Sequence, residues 1–171
     1  LTDPLPFRLD VLQRLTETVE AVSIADGYAH NLAGLVFRGR ARYGENDPLP
    51  MVSFIEDPRP NDPVAEARGT QAHLVDWRIL VQGFVEDDFA NPTDPAYRLA
   101  ADVAKVLSAL RAGMDQRKPI LGFIEKGQRI DNISIGAPIV RPPDEVSDKA
   151  YFWLPVTLSL VEDPAKPFTS T

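Results

Sequence analysis

The sequence predicts an α+β fold: an antiparallel or mixed sheet of four to six strands with two main helices packed on one face. Apolar residues recur every three or four positions near the N-terminus and again after residue 94, and they alternate with a period of two around residues 35–56, 73–86 and 150–162. With 44% apolar residues in a chain of 171, there is enough material for one continuous core, so a single domain over residues 1–171 is expected.

The first helix is expected from Pro6 to Ile24, where Phe7, Val11, Leu15, Val19 and Val22 fall on one stripe. Asp3 before Pro4 offers a start signal, and Asp26-Gly27 ends the pattern because glycine tolerates the left-handed conformation common at helix C-termini. From Leu35 to Tyr43 the period becomes two, with Leu35, Phe37, Gly39, Ala41 and Tyr43 on one side and Val36, Arg38, Arg40 and Arg42 on the other. This reads as a strand with a basic face. Gly44-Glu45-Asn46-Asp47-Pro48 has turn chemistry and Met51 to Glu56 reads as a second strand, so a hairpin with a loop of about five to seven residues is expected. Asp57 to Thr70 holds Pro58, Pro60 and Pro63 among charged and small residues, which predicts a mobile loop and a contact element.

His73 to Glu86 is the clearest strand, with Val75, Trp77, Ile79, Val81 and Val85 on one face. Asp94-Pro95 then starts the second helix, whose stripe is Ala96, Leu99, Ala100, Val103, Leu107 and Leu110, ending near Gly113. Ile120 to Ile124 reads as a short strand or a helical turn. Arg129 to Val140 alternates across Gly136-Ala137-Pro138, which suggests a bulge or an edge position. Ala150 to Glu162 is the last strand, with Pro155 arguing for an edge, and residues 163–171 read as a loose tail.

Composition narrows the function. Acidic side chains outnumber basic ones 25 to 18, for a net charge of −7, whereas counterion release on nucleic acid needs clustered Lys and Arg. An acidic ring or channel wall, by contrast, would repel phosphates and let DNA slide. The absence of cysteine excludes disulfides, thiolate metal sites and cysteine nucleophiles, and agrees with folding in a reducing cytoplasm. No run of apolar residues is long enough to cross a bilayer, and Leu1-Thr2-Asp3-Pro4 does not open a secretory signal, so a soluble protein is expected.

Chemistry-bearing motifs are sparse. His30 and His73 stand apart without an HExxH pairing and read as structural, and the G-x-S-x-G, P-loop and G-x-G-x-x-G patterns are missing, so neither catalytic residues nor a cofactor are expected. Asp87, Asp88 and Asn91 could serve a hard cation in a small metal-dependent hydrolase; the plainer reading is a polar connection whose carboxylates favour a helix N-terminus. Arg38, Arg40 and Arg42 on one strand face require neutralisation, either by Glu56, Asp76 or Glu86 on adjacent strands or by an acidic surface of a neighbouring subunit, with an anionic ligand as a third option.

Taken in order, "LVFRGRARYG", "DPLPMVSFIED", the long polar loop, "DWRILVQGFVEDD", "DPAYRLAADVAKVLSAL" and "AYFWLPVTLSLVED" resemble the phage tail-terminator (tail-completion) proteins over nearly the whole chain. Leu49-Pro50 opening the second strand, the Trp77 to Phe84 strand leading through acidic residues into a Leu/Ala-rich helix, and the late "LPVTLSLVE" carry most of the likeness. The resemblance implies a non-enzymatic virion protein, assembled in the bacterial cytoplasm, whose ring, commonly a hexamer, caps the head-proximal end of the tail tube. Its implied partners are further copies of itself, the tail tube protein and the head connector, with DNA passing through unbound and no membrane involved. A head-to-tail connector or neck protein is the alternative within the same setting. Arg38, Arg40, Arg42, Arg59, Asp62, Glu66, Arg68, Asp87 and Asp88 are the candidate subunit-interface residues.

Overall fold

A computed structural model describes residues 3–58, 65–66, 72–112, 119–125 and 127–169. Two helices, α1 (Phe7–Glu20) and α2 (Asp94–Ala112), accompany one mixed sheet of β1 (Val36–Arg38), β2 (Met51–Glu56), β3 (Ala65–Glu66), β4 (His73–Val85), β5 (Arg129–Ile135), β6 (Ile139–Arg141) and β7 (Ala150–Glu162). The order across the sheet is β1-β2-β4-β7-β5, with β3 added to β4 and β6 to β7. This is the α+β architecture expected.

The antiparallel β4–β7 ribbon forms the spine, paired in unbroken register from His73↔Glu162 to Val85↔Ala150. Because side chains alternate across a strand, Val75, Trp77, Ile79 and Val81 of β4 and Phe152, Leu154, Val156, Leu158 and Leu160 of β7 share one buried face. Against it lie the stripes of α1 (Val11, Leu15, Val19) and α2 (Leu99, Val103, Leu107), in a single apolar cluster. The helices therefore cover one face of the sheet.

The β1–β2 hairpin is not formed. β1 ends at Arg38 and pairs parallel with β2, Val36 opposite Val52, so the chain between them must return across the sheet rather than fold back beside it. Gly39 makes the departure at φ 77, a left-handed conformation glycine adopts without strain. Residues 39–50 then cross the back of the sheet, where Phe37, Tyr43 and Leu49 pack on a second apolar cluster of Met51, Phe84 and Tyr151. Two polar anchors fix the crossing: Arg40 N–H donates to Ser53 Oγ at 3.1 Å, and the Gln82 side-chain amide donates to Ala41 O at 3.1 Å while accepting from Trp153 Nε1 at 3.0 Å. The turn foreseen at Gly44 to Asp47 does exist, closed by Asp47 N–H on Gly44 O at 2.9 Å, but inside this crossing.

Three further expectations are corrected. β7 lies in the sheet interior between β4 and β5 although it contains Pro155. Pro155 O accepts from Gly136 N–H at 2.8 Å, so its imide nitrogen faces the Gly136-Ala137-Pro138 break between β5 and β6, where no ladder bond is lost. The N-cap of α1 is Pro6, with no side-chain cap bond, rather than Asp3; the helix closes at Glu20 and Gly27 ends a separate 3-10 turn, Ile24–Asp26. Residues 163–169 are not loose: Phe7 N–H donates to Pro167 O and Thr169 N–H to Leu5 O, both at 2.8 Å. Ile120–Gly122 forms a 3-10 turn, one of the two options its sequence allowed. Among the described residues no helix is long and apolar enough to cross a membrane.

Candidate functional site

The three arginines expected on one strand face are dispersed, because β1 is only three residues long. Arg38 donates to Thr16 Oγ1 of α1 at 3.0 Å. Arg40 forms an ion pair with Asp47 of the crossing segment and lies over the Phe37 ring at 3.8 Å. Neither uses Glu56, Asp76 or Glu86, the partners anticipated from adjacent strands; Glu86 is taken by Lys149 at 3.0 Å, an interaction that raises the lysine pKa. Arg42 is exposed, with no partner among the described residues.

Of the long loop, Arg59, Asp62 and Arg68 lie outside the described residues, while Glu66 pairs its backbone with His73 through β3. Asp87 and Asp88 are exposed in the connection from β4 to α2. Asp88 Oδ1 accepts from the N–H groups of Ala90 at 2.9 Å and Asn91 at 2.7 Å, so this carboxylate orders its own loop, ahead of α2 rather than at the helix N-terminus. No group of three His, Asp or Glu residues that could hold a metal occurs among the described residues. His30 is held against α2: its Nδ1 lies 2.7 Å from Asp102 Oδ2, which also accepts from the N–H groups of Ala29 and His30.

Two features were missed from sequence. The first is Phe89, which stands at 102% relative exposure beside Asp87 and Asp88; a lone aromatic in an otherwise polar connection was its signal. The second is a cleft of about 310 Å³ where the two ends of the chain meet, walled by Pro6, Phe7, Pro164 and Pro167 with Arg8 and Glu162 beside them. Its residues are some 150 positions apart in the chain, so no local pattern could reveal it. Arg8 grips Glu162 with two bonds, Nη2 to Oε1 at 2.6 Å and Nε to Oε2 at 3.0 Å, and this hydrogen bonding raises the arginine pKa against the opposing effect of burial. The guanidinium also lies 5.0 Å over the Trp77 ring.

The described residues thus present an exposed aromatic at Phe89, a cleft between the chain ends and, at Arg42, a cation with no partner among them. The class they define is a small α+β domain with an exposed aromatic and a cleft at opposite ends of one β ribbon. No protein-family model matches the chain, and no curated protein matches its sequence. Among solved structures, the fold is similar to a chain in the virion of a native gene transfer agent particle, with a TM-score of 0.52 and 17% sequence identity, covering 90% of this chain and 94% of that one. At that identity the likeness is one of fold.

Proposed function

We propose that this chain is a structural protein of a phage-like virion and, more narrowly, a tail terminator. Copies of it form a closed ring, six in number, on the head-proximal end of the tail tube, stop tube polymerisation and present the surface to which the head connector joins. The observation that carries the reading is the fold likeness to a chain of a gene transfer agent virion over nearly the full length of both. The ordered succession of segments resembling tail terminators and the exposed anchors at both ends of the β4–β7 ribbon support it. A head-to-tail contact that closes by rotation suits the capping of a rotationally symmetric tube. With a net charge of −7, a lumen lined by acidic residues lets DNA pass without adhesion. Assembly takes place in the bacterial cytoplasm, and no catalysis is required.

Particles assembled without this chain test the proposal. Tubes should overrun their normal length and fail to join heads, and adding the purified chain should restore both. Tubes of normal length that still join heads would overturn it. A station at the neck predicts instead that the chain co-sediments with portal-bearing heads and not with bare tubes.

A further inference from the structure

Phe89 and the cleft between the chain ends belong to opposite ends of one ribbon. Phe89 follows the C-terminal end of β4, whereas the cleft is built around Glu162, the C-terminal residue of β7, which pairs with His73 at the N-terminal end of β4. β4 is 13 residues long, so the separation is about 40 Å at ~3.3 Å per residue. A knob and a cleft at opposite ends cannot meet within one copy. In two copies they make a head-to-tail contact, the kind that generates rings.

The two surfaces match in size, and Lys166 beside the cleft is a cation that can face the carboxylates beside the knob. A cavity of about 150 Å³ holds a benzene ring, and the open cleft offers about 310 Å³, its exposed lining mostly apolar, with Gln128 and Asp163 also on its wall. Beside the knob stand Asp87 and Asp88. Beside the cleft, Lys166 is exposed with no side-chain partner among the described residues; of the carboxylates that line the cleft, Glu162 is paired with Arg8 and Asp163 accepts the Ala165 N–H at 2.9 Å. The knob is also held in place beforehand. Asp88 fixes the backbone that follows Phe89, and Asp94 N–H donates to Asn91 O at 3.1 Å, so little loop entropy is lost on docking.

We infer that Phe89 of one copy seats in the cleft formed by Pro6, Phe7, Pro164 and Pro167 of the next copy, with Asp87 facing Lys166. This rests on the ring reading above and deepens it by naming the contact between neighbours. Aromatic anchors in desolvated pockets dominate many interfaces, so F89A should weaken self-association on the order of tenfold or more. Because the ring is wholly exposed, that variant should keep the fold and melting temperature of the parent; unchanged association would overturn the contact.

Cross-linking supplies the second arm. The chain has no cysteine, so an F89C/P164C double variant carries the sole thiols. Oxidised on tail tubes with copper phenanthroline, it should yield a ladder of disulfide-linked oligomers, while either single variant stops at dimers. Glutaraldehyde on the unaltered chain reports ring formation separately. Rings fixed by glutaraldehyde with no disulfide ladder from the double variant overturn the knob and cleft but leave the ring standing, and the absence of oligomers with either reagent overturns both.

Discussion

Gly83 of β4 pairs with Phe152 of β7, and a Cβ at that position would stand 2.1 Å from the Phe152 ring. The ring is fully buried in the main core, so it cannot swing aside into solvent. G83A should therefore destabilise the fold by about 1–3 kcal/mol through overpacking, read as a lower urea midpoint with an unchanged slope. Asp144 illustrates a different kind of single-residue control. Its carboxylate accepts from Val146 N–H at 2.8 Å and from the Tyr151 hydroxyl at 2.9 Å, and the Val146 bond leads the causes that lower its pKa. A depressed folded pKa stabilises the protein above the ordinary carboxylate range and loses that contribution as pH falls through the folded value. Acid titration should show the advantage of the parent over D144N disappearing below about pH 4; an advantage independent of pH would contradict this. Burial, with help from Asp144, raises the pKa of the Tyr151 hydroxyl. Its contribution is thus complete below about pH 10 and fades as pH rises further.

Among the elements, α2 depends most plainly on its buried stripe, since Leu99, Val103 and Leu107 are each wholly inaccessible. L107A should cost about 2–5 kcal/mol, visible as a lower thermal midpoint without loss of secondary structure at low temperature. That stripe, like the alternation of β4 and β7, was legible in sequence because a two-sided environment imposes its period on every residue. β1 was misread for the same physical reason. Leu35 to Tyr43 alternates as a strand does, yet residues 39–43 leave the ladder at Gly39, and the Tyr43 ring packs on the cluster of Met51, Phe84 and Tyr151 while its hydroxyl donates to Asp47 O. Period two records a chain passing over an apolar surface as readily as one paired within a sheet. Pro155 misled differently: its missing N–H excludes a ladder bond at one residue on one side, not an interior position for the strand. The arginine cluster dissolved with the strand that was to hold it, and neither Phe89 nor the cleft belonged to any periodic pattern.

At the scale of the whole molecule, the two ends of the chain close on each other at one end of the ribbon. Pro6 bridges Phe168, and Arg8 clamps Glu162. Between them sits Gln128, 5% exposed, whose side-chain amide donates to Lys166 O at 2.7 Å and Phe168 O at 3.0 Å. This side chain ties the C-terminal segment to the start of β5, while backbone bonds at Phe7 and Thr169 join that segment to the N-terminal end, and both Gln128 and the segment line the cleft. Q128L keeps comparable bulk but leaves two carbonyls without their donor, at a cost of about 1–3 kcal/mol confined to this corner. Hydrogen exchange should quicken at the amides of Phe7 and Thr169, which close the contact between the ends, while amides along the β4–β7 ribbon keep their protection, because local opening need not disturb the spine. If the cleft receives a neighbour, the same substitution weakens self-association without touching Phe89, and assembly on tubes should restore slow exchange at both amides. Quickened exchange spread evenly over the ribbon would mean that the joined ends support the entire sheet rather than shape one end of it.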